Sequence, residues 1–138
     1  MNKKTLGSSN IEISALGFGC WAIGGLFTLD GIPDGWGEVD DAESVRAIER
    51  ALDLGVQLFD TSDAYGTGHS EEVLGRALQG RRQEAVIATK FGYTYDSTQR
   101  KLYTNYDVSP EYIRWACEQS MRRLGTDYID LYQIHGGG

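Results

Sequence analysis

Asp60, Tyr65, Lys90 and His135 are the residues of this 138-residue chain whose types and placement could move protons. Tyrosine and histidine together suggest acid–base work, but an ordinary tyrosine holds its proton to about pH 10 and is a sluggish acid at neutral pH. A lysine ammonium beside the phenol would favour the phenolate, and a carboxylate would keep that lysine charged and oriented. Each residue also has an ordinary reading. Asp60 could cap the turn amides of Thr61 to Asp63, and Tyr65 could be one surface aromatic among eight tyrosines. Lys90 could snorkel out of a strand end, and His135 could be a hydrogen-bonded histidine under a sheet edge. Position tips the balance. Asp60, Lys90 and His135 each close a run of strand-forming residues, and Tyr65 follows Asp60 by five positions.

The segments that must hold these side chains alternate in type. Lys4-Thr5-Leu6 and Ile11-Glu12-Ile13 flank the turn cluster Gly7-Ser8-Ser9-Asn10 and predict a short β-hairpin. Leu16-Gly17-Phe18-Gly19 reads as a strand, followed by a long Gly-rich loop to Asp40 that contains Trp21, Pro33 and Trp36. Asp40 with Glu43 resembles a capping box, and Val45, Ile48 and Leu52 then recur at helical spacing until Gly55. Val56 to Asp60 is an apolar strand ending in a carboxylate; a helix through Val73, Leu74, Ala77 and Leu78 follows, ending at Gly80. Ala85 to Lys90 repeats the strand pattern before a second long loop, to about Val108. Ser109-Pro110-Glu111 opens a third helix, with Ile113, Ala116, Cys117, Ser120 and Leu124 on one face and Gly125 as its stop. Tyr128 to Ile134 alternates and leads to His135.

The order is βαβαβαβ behind a hairpin, which predicts an α/β fold with parallel strands. A doubly wound sheet and a (β/α)8 barrel both fit, and both place sites at the C-terminal ends of strands. A barrel takes about 250 residues, so this chain holds roughly half of one. Such a half would leave strand edges unpaired, which predicts either a piece of a longer protein or self-association through exposed barrel edges.

Composition narrows the function classes. With 41% hydrophobic and 24% charged residues the chain is expected to form one soluble domain, spanning 1–138. A net charge of -7 argues against a nucleic-acid surface. No apolar run approaches the roughly 18 residues of a membrane span, and no export-signal pattern is seen, so a cytoplasmic location is expected. Cys20 and Cys117 lack CxxC or zinc-like His spacing; both are expected reduced, Cys117 as a buried inert thiol, with no metal site. Gly17-Phe18-Gly19 is a weak dinucleotide pattern, since Ala22 replaces the third glycine of GxGxxG. Trp21 and Trp36 fit a substrate pocket or packing over a barrel mouth equally well. Glu43, Arg46, Glu49 and Arg50 read as a solvated helix face.

Several segments taken together resemble the aldo-keto reductases. Phe59-Asp60-Thr61-Ser62-Asp63-Ala64-Tyr65-Gly66 is similar to that family's signature after its second strand, and Ala88-Thr89-Lys90 to its third-strand lysine motif. Leu124 to His135 is similar to the stretch leading to its histidine, and Leu16-Gly17-Phe18-Gly19 and Gly68-His69-Ser70-Glu71 match in order. The resemblance covers nearly the whole chain. It implies the N-terminal half of a (β/α)8 TIM barrel and NADPH-dependent reduction of aldehydes or ketones to alcohols, with NADH as the second cofactor candidate. Tyr65 would be the general acid, Asp60 and Lys90 would tune it, and His135 would orient the small-molecule carbonyl substrate. Gly19, Cys20, Trp21 and Asp60 would touch the nicotinamide side of the cofactor, although Cys20 stands where many members have a small hydroxyl residue. The resemblance also leaves room for a non-catalytic cofactor-binding or regulatory subunit, or an inactive fragment of the enzyme.

Overall fold

The computed structural model describes residues 1–136, so Gly137 and Gly138, the end of the expected domain, lie outside the described residues. Strands β1 (Lys3–Thr5) and β2 (Glu12–Ser14) form the expected antiparallel hairpin. The buried Ser14 fastens it to the main fold: its hydroxyl donates to the Leu16 carbonyl at 2.5 Å and accepts the Gln57 amide at 2.8 Å. Strand β3 (Gly17–Gly19) follows, then β4 (Phe27–Leu29) and β5 (Ile32–Asp34). Helix α1 (Asp41–Asp53) begins at Asp40, whose carboxylate accepts the amides of Ala42 and Glu43 and so satisfies two free helix donors. Strand β6 (Leu58–Asp60), helix α2 (His69–Ala77) and strand β7 (Val86–Phe91) continue the alternation. Next come strands β8 (Tyr93–Asp96) and β9 (Lys101–Tyr106). Helix α3 (Pro110–Leu124) has Ser109 as cap and Pro110 in its first turn, and ends at Gly125 in the left-handed conformation, φ 64°. Strand β10 (Leu131–Ile134) closes the described chain.

Strands β3, β6, β7 and β10 form one parallel sheet in the spatial order β10-β7-β6-β3. Neighbouring strands are consecutive along the main βαβ path, the arrangement of a barrel wall rather than of a sheet that reverses order at a switch point. One face, with Phe59 and Ile87, is buried beneath the helices in a core that includes Ile48, Leu52, Val73, Leu74, Ala77 and Leu124. Because side chains alternate along a strand, Leu58, Asp60, Ala88 and Lys90 share the opposite face. Asp60 pairs with Ala88 and Lys90 with Gln133, which brings the ends of β6, β7 and β10 together.

The two long loops expected on either side of Trp36 and after Lys90 are not loops throughout. The first contains β4 and β5 and the second β8 and β9, and the two hairpins join into a second sheet of order β5-β4-β9-β8. Pro33 sits on the edge strand β5, where a missing donor costs no ladder bond. Phe27 and Leu102 of this sheet pack with Ala64, and Tyr93 and Tyr95 lie against them. Ala64 is the residue before Tyr65, so the second sheet buttresses the loop that carries the phenol. Cys117 is half-buried rather than buried, because it lies at the margin of the α3 face whose centre is Ala116 and Ser120. Glu43, Arg46, Glu49 and Arg50 are exposed as expected.

Candidate active site

The Lys90 ammonium has three protons and three acceptors around it. Its Nζ lies 2.7 Å from Asp60 Oδ1, 2.8 Å from the Thr61 carbonyl and 3.2 Å from the Tyr65 hydroxyl oxygen. An ammonium only donates, so the phenol oxygen accepts here and its own proton stays free to point elsewhere. Lys90 is largely buried, its side chain 14% exposed, whereas the Asp60 side chain is 46% exposed; the carboxylate sits at the rim and the cation beneath it. His135 stands edge-on to the Tyr65 ring, centroids 5.4 Å apart at 88°, and edge-on to Tyr93 at 5.3 Å. Burial, and then the Lys90 charge, hold the His135 imidazole below its usual titration range and favour the neutral ring.

The backbone that places these groups extends the sheet. Thr61 N–H donates to the Ala88 carbonyl and Asp63 N–H to the Lys90 carbonyl, so the chain after β6 still runs beside β7. His135 N–H donates to the Phe91 carbonyl at 2.7 Å in the same manner. The chain then turns tightly, and Gly66 adopts φ 60°; a Cβ there would collide with the Gly24 carbonyl oxygen. The short 3-10 turn Ala22–Gly24 therefore touches the turn of Tyr65 backbone to backbone.

Of the residues expected at a cofactor, Gly19 is exposed at the end of β3, in register with Asp60, with open space where a side chain would stand. Trp21 is 45% exposed, packs edge-on against Trp36 and lies 6.3 Å from the Tyr65 ring. Trp21 thus walls one side of the phenol. Cys20 is turned the other way. It is wholly buried in the core, its N–H donates to the Asp60 carbonyl, its carbonyl accepts the Ser70 hydroxyl, and burial pushes its thiol far up. It braces β3 against β6 from beneath.

Residues that sequence reasoning passed over complete the site. Ser62 Oγ is 2.8 Å from His135 Nδ1. Tyr93 stands edge-on to the histidine with the Tyr106 ring tilted against it, and the Tyr106 hydroxyl donates to the His135 carbonyl. Behind them Glu71, fully buried, accepts from Thr89 Oγ1 at 2.5 Å and from Arg123 Nε at 2.7 Å, and Arg123 also reaches the Tyr95 hydroxyl at 3.0 Å. Asp63 is buried beside this pair with Oδ2 unpartnered; burial, and then the Glu71 charge, push its carboxyl well above the usual range. Ser62 lies within the segment that carries Tyr65, and that proximity is its one signal in the sequence. Among the described residues no cluster of His, Cys, Asp and Glu could hold a metal ion, and no helix is long and apolar enough to cross a membrane.

The arrangement offers a phenolic proton beside a cation, and a neutral imidazole facing it, at the open end of parallel strands. Comparison with known proteins gives the family. The Aldo/keto reductase family model matches residues 15–136. The NADH-specific methylglyoxal reductase of Escherichia coli (strain K12) is 37% identical over 144 residues, covering 98% of this chain and 42% of that protein. The holo form of aldo-keto reductase AKR11C1 from Bacillus halodurans superposes with a TM-score of 0.84 at 38% identity, over 100% of this chain and 41% of that one. An aldo-keto reductase from Klebsiella pneumoniae in complex with NADPH gives a TM-score of 0.71 at 28% identity, over 100% of this chain and 41% of that one. The chain spans about two fifths of the length of the curated relatives it matches.

Proposed function

The chain belongs to the aldo/keto reductase family, its four parallel strands forming part of that family's barrel, and from this premise we propose that it carries the carbonyl-reducing site of an NADPH-dependent oxidoreductase. The observation that supports this most is the saturation of the Lys90 ammonium by Asp60, Thr61 and Tyr65, which leaves the phenolic proton available. Open space over Gly19 beside Asp60, with Trp21 and Trp36 alongside, is compatible with a flat ring at this end of the sheet. A reduced nicotinamide, when bound, supplies the hydride.

The chain's own residues supply the rest. Tyr65 gives its proton to the carbonyl oxygen of the substrate, and Lys90 stabilises the negative charge that this leaves on the phenol. Asp60 holds Lys90 in place and keeps it charged. His135 meets the same carbonyl oxygen and orients it, while Trp21 and Trp36 exclude water and pack the apolar part of a small aldehyde or ketone. Gly19, Trp21 and Asp60 flank the cofactor, with Cys20 supporting them from below. NADPH is the preferred cofactor of this reading, with NADH as the competitor, since one relative is NADH-specific and one neighbour holds NADPH. A cytoplasmic location belongs to the same proposal, as does pairing of further strands or a second copy along the outer strands β3 and β10.

The test is loss of reduced-nicotinamide absorbance on mixing the protein with methylglyoxal and NADPH, then NADH. Saturable turnover with either cofactor supports the proposal. Saturable cofactor binding without turnover favours the non-catalytic subunit, and the absence of both turnover and binding would be incompatible with an active site carried by this chain alone.

A further inference from the structure

We propose that Ser62 is a positioning residue for His135: its hydroxyl donates to Nδ1 and thereby fixes the imidazole in the tautomer that carries its proton on Nε2. The inference rests on the carbonyl-orienting reading of His135 and adds the reason why that ring can act as a donor.

The argument is an accounting of one proton. Ser62 is fully buried, and its Oγ accepts the Ala64 N–H at 3.1 Å, so it has a single O–H left to give. If Nδ1 carried a proton and donated to Oγ, the Ser62 O–H would have only Asp63 Oδ1 at 3.4 Å to reach; if Nδ1 is bare, the O–H meets it at 2.8 Å. The shorter contact is an ordinary strong O–H···N distance; the longer one lies at the edge of hydrogen bonding. Asp63 is also the poorer acceptor, because burial beside Glu71 favours its neutral carboxyl. The Ser62 proton therefore belongs to Nδ1. A neutral imidazole has one N–H, and with Nδ1 accepting, it must be on Nε2.

The consequence falls on the substrate oxygen. With Nε2–H presented, the histidine donates to the same carbonyl oxygen that Tyr65 protonates, and two donors converge on developing negative charge. In the other tautomer Nε2 would turn a lone pair toward that oxygen and repel it. Ser62 also limits ring rotation, which the edge-on contacts with Tyr65 and Tyr93 alone leave free to flip. The Tyr106 hydroxyl on the His135 carbonyl fixes the main chain, so ring and backbone are held separately.

Nitrogen NMR of the histidine rings tests this on the unmodified protein without cofactor or substrate. The sequence has only two histidines, and His69, whose Nε2 is 2.8 Å from Asp41 Oδ1, is the internal control. Expected for His135 is an unprotonated, pyridine-type Nδ1 and a protonated, pyrrole-type Nε2. In Ser62→Ala the His135 signals shift toward a mixture of tautomers while those of His69 stay, and Ser62→Thr, which keeps a hydroxyl, restores the parent pattern. A protonated Nδ1 in the unmodified protein overturns the proposal whether or not the variants fold, and so does an unchanged Nε2–H tautomer in Ser62→Ala. Failure of the catalytic reading is separable: a Nε2–H spectrum as expected, with turnover indifferent to Tyr65→Phe, would remove the role of the site and leave the Ser62 assignment standing.

Discussion

Replacing Lys90 with methionine keeps the unbranched apolar stem and removes the terminal ammonium with its charge and donors. The ammonium lies 3.2 Å from the phenol oxygen that becomes negative when Tyr65 gives up its proton. At an effective dielectric of about 20, that separation corresponds to about 5 kcal/mol of gross attraction between unit charges. Asp60, 2.7 Å from the same ammonium, offsets part of it. Loss of one preorganised charge-stabilising group in an active site costs about 3–4 kcal/mol, so kcat for aldehyde reduction is expected to fall about 10²–10³-fold. The uncompensated Asp60 carboxylate should not unfold the protein, since it is half-exposed and can take up water. Stopped-flow nicotinamide absorbance on the variant, beside a circular dichroism check of the fold, measures this, with Lys90→Arg as the charge-retaining control. A fall of less than about tenfold in a folded Lys90→Met protein would refute the idea that the ammonium stabilises the phenolate.

The buried network behind the site yields predictions of stability. Arg123→Met leaves Glu71 and Asp63 buried without their cation, and urea unfolding should show a loss of about 3–5 kcal/mol, mostly recovered in the Glu71→Gln/Arg123→Met double variant. Asp63 has a raised pKa in the fold, so the stability it lends is present while it is protonated and is lost as pH rises through that value. Asp63→Asn should therefore raise the melting temperature at neutral pH and flatten its decline as pH rises above the ordinary carboxylate range in calorimetric scans. Gly66→Ala places a Cβ against the Gly24 carbonyl at φ 60° and should cost more than about 1 kcal/mol in urea unfolding, while lowering activity through displacement of Tyr65.

Local signals carried much of the fold. The Asp40 cap, the Ser109-Pro110 start and the Gly125 stop are decided within one turn of helix, and each forms as its residues dictate. The alternation of these helices with apolar strands then left few arrangements, and the placing of Asp60, Lys90 and His135 at strand ends followed from it. Non-local pairing was not legible. Strand β4 meets β9 across more than seventy residues, and its own segment, rich in glycine and containing Pro33, has the composition of a loop. Glu71 in the first turn of α2 is fully buried, and its partners Arg123 and Thr89 come from α3 and β7, contacts that no local pattern announces. Ser62 and His135 are likewise 73 positions apart, and only the closure of β10 onto β7 brings hydroxyl to ring. A cofactor contact for Cys20 is implied only by the family resemblance; in the fold its side chain is wholly buried in the core, which no local signal announces.

The most direct measurement compares the unmodified protein with Tyr65→Phe for methylglyoxal reduction by NADPH under saturating cofactor. The phenyl ring keeps the packing against Trp21 and His135 and loses only the hydroxyl that Lys90 contacts. A positioned general acid contributes about 10²–10⁴-fold, so turnover should fall by that factor with cofactor binding unchanged. Equal rates in the two proteins would contradict the assignment of Tyr65 as the proton donor, and with it the chemistry assigned to the Asp60, Lys90 and His135 constellation.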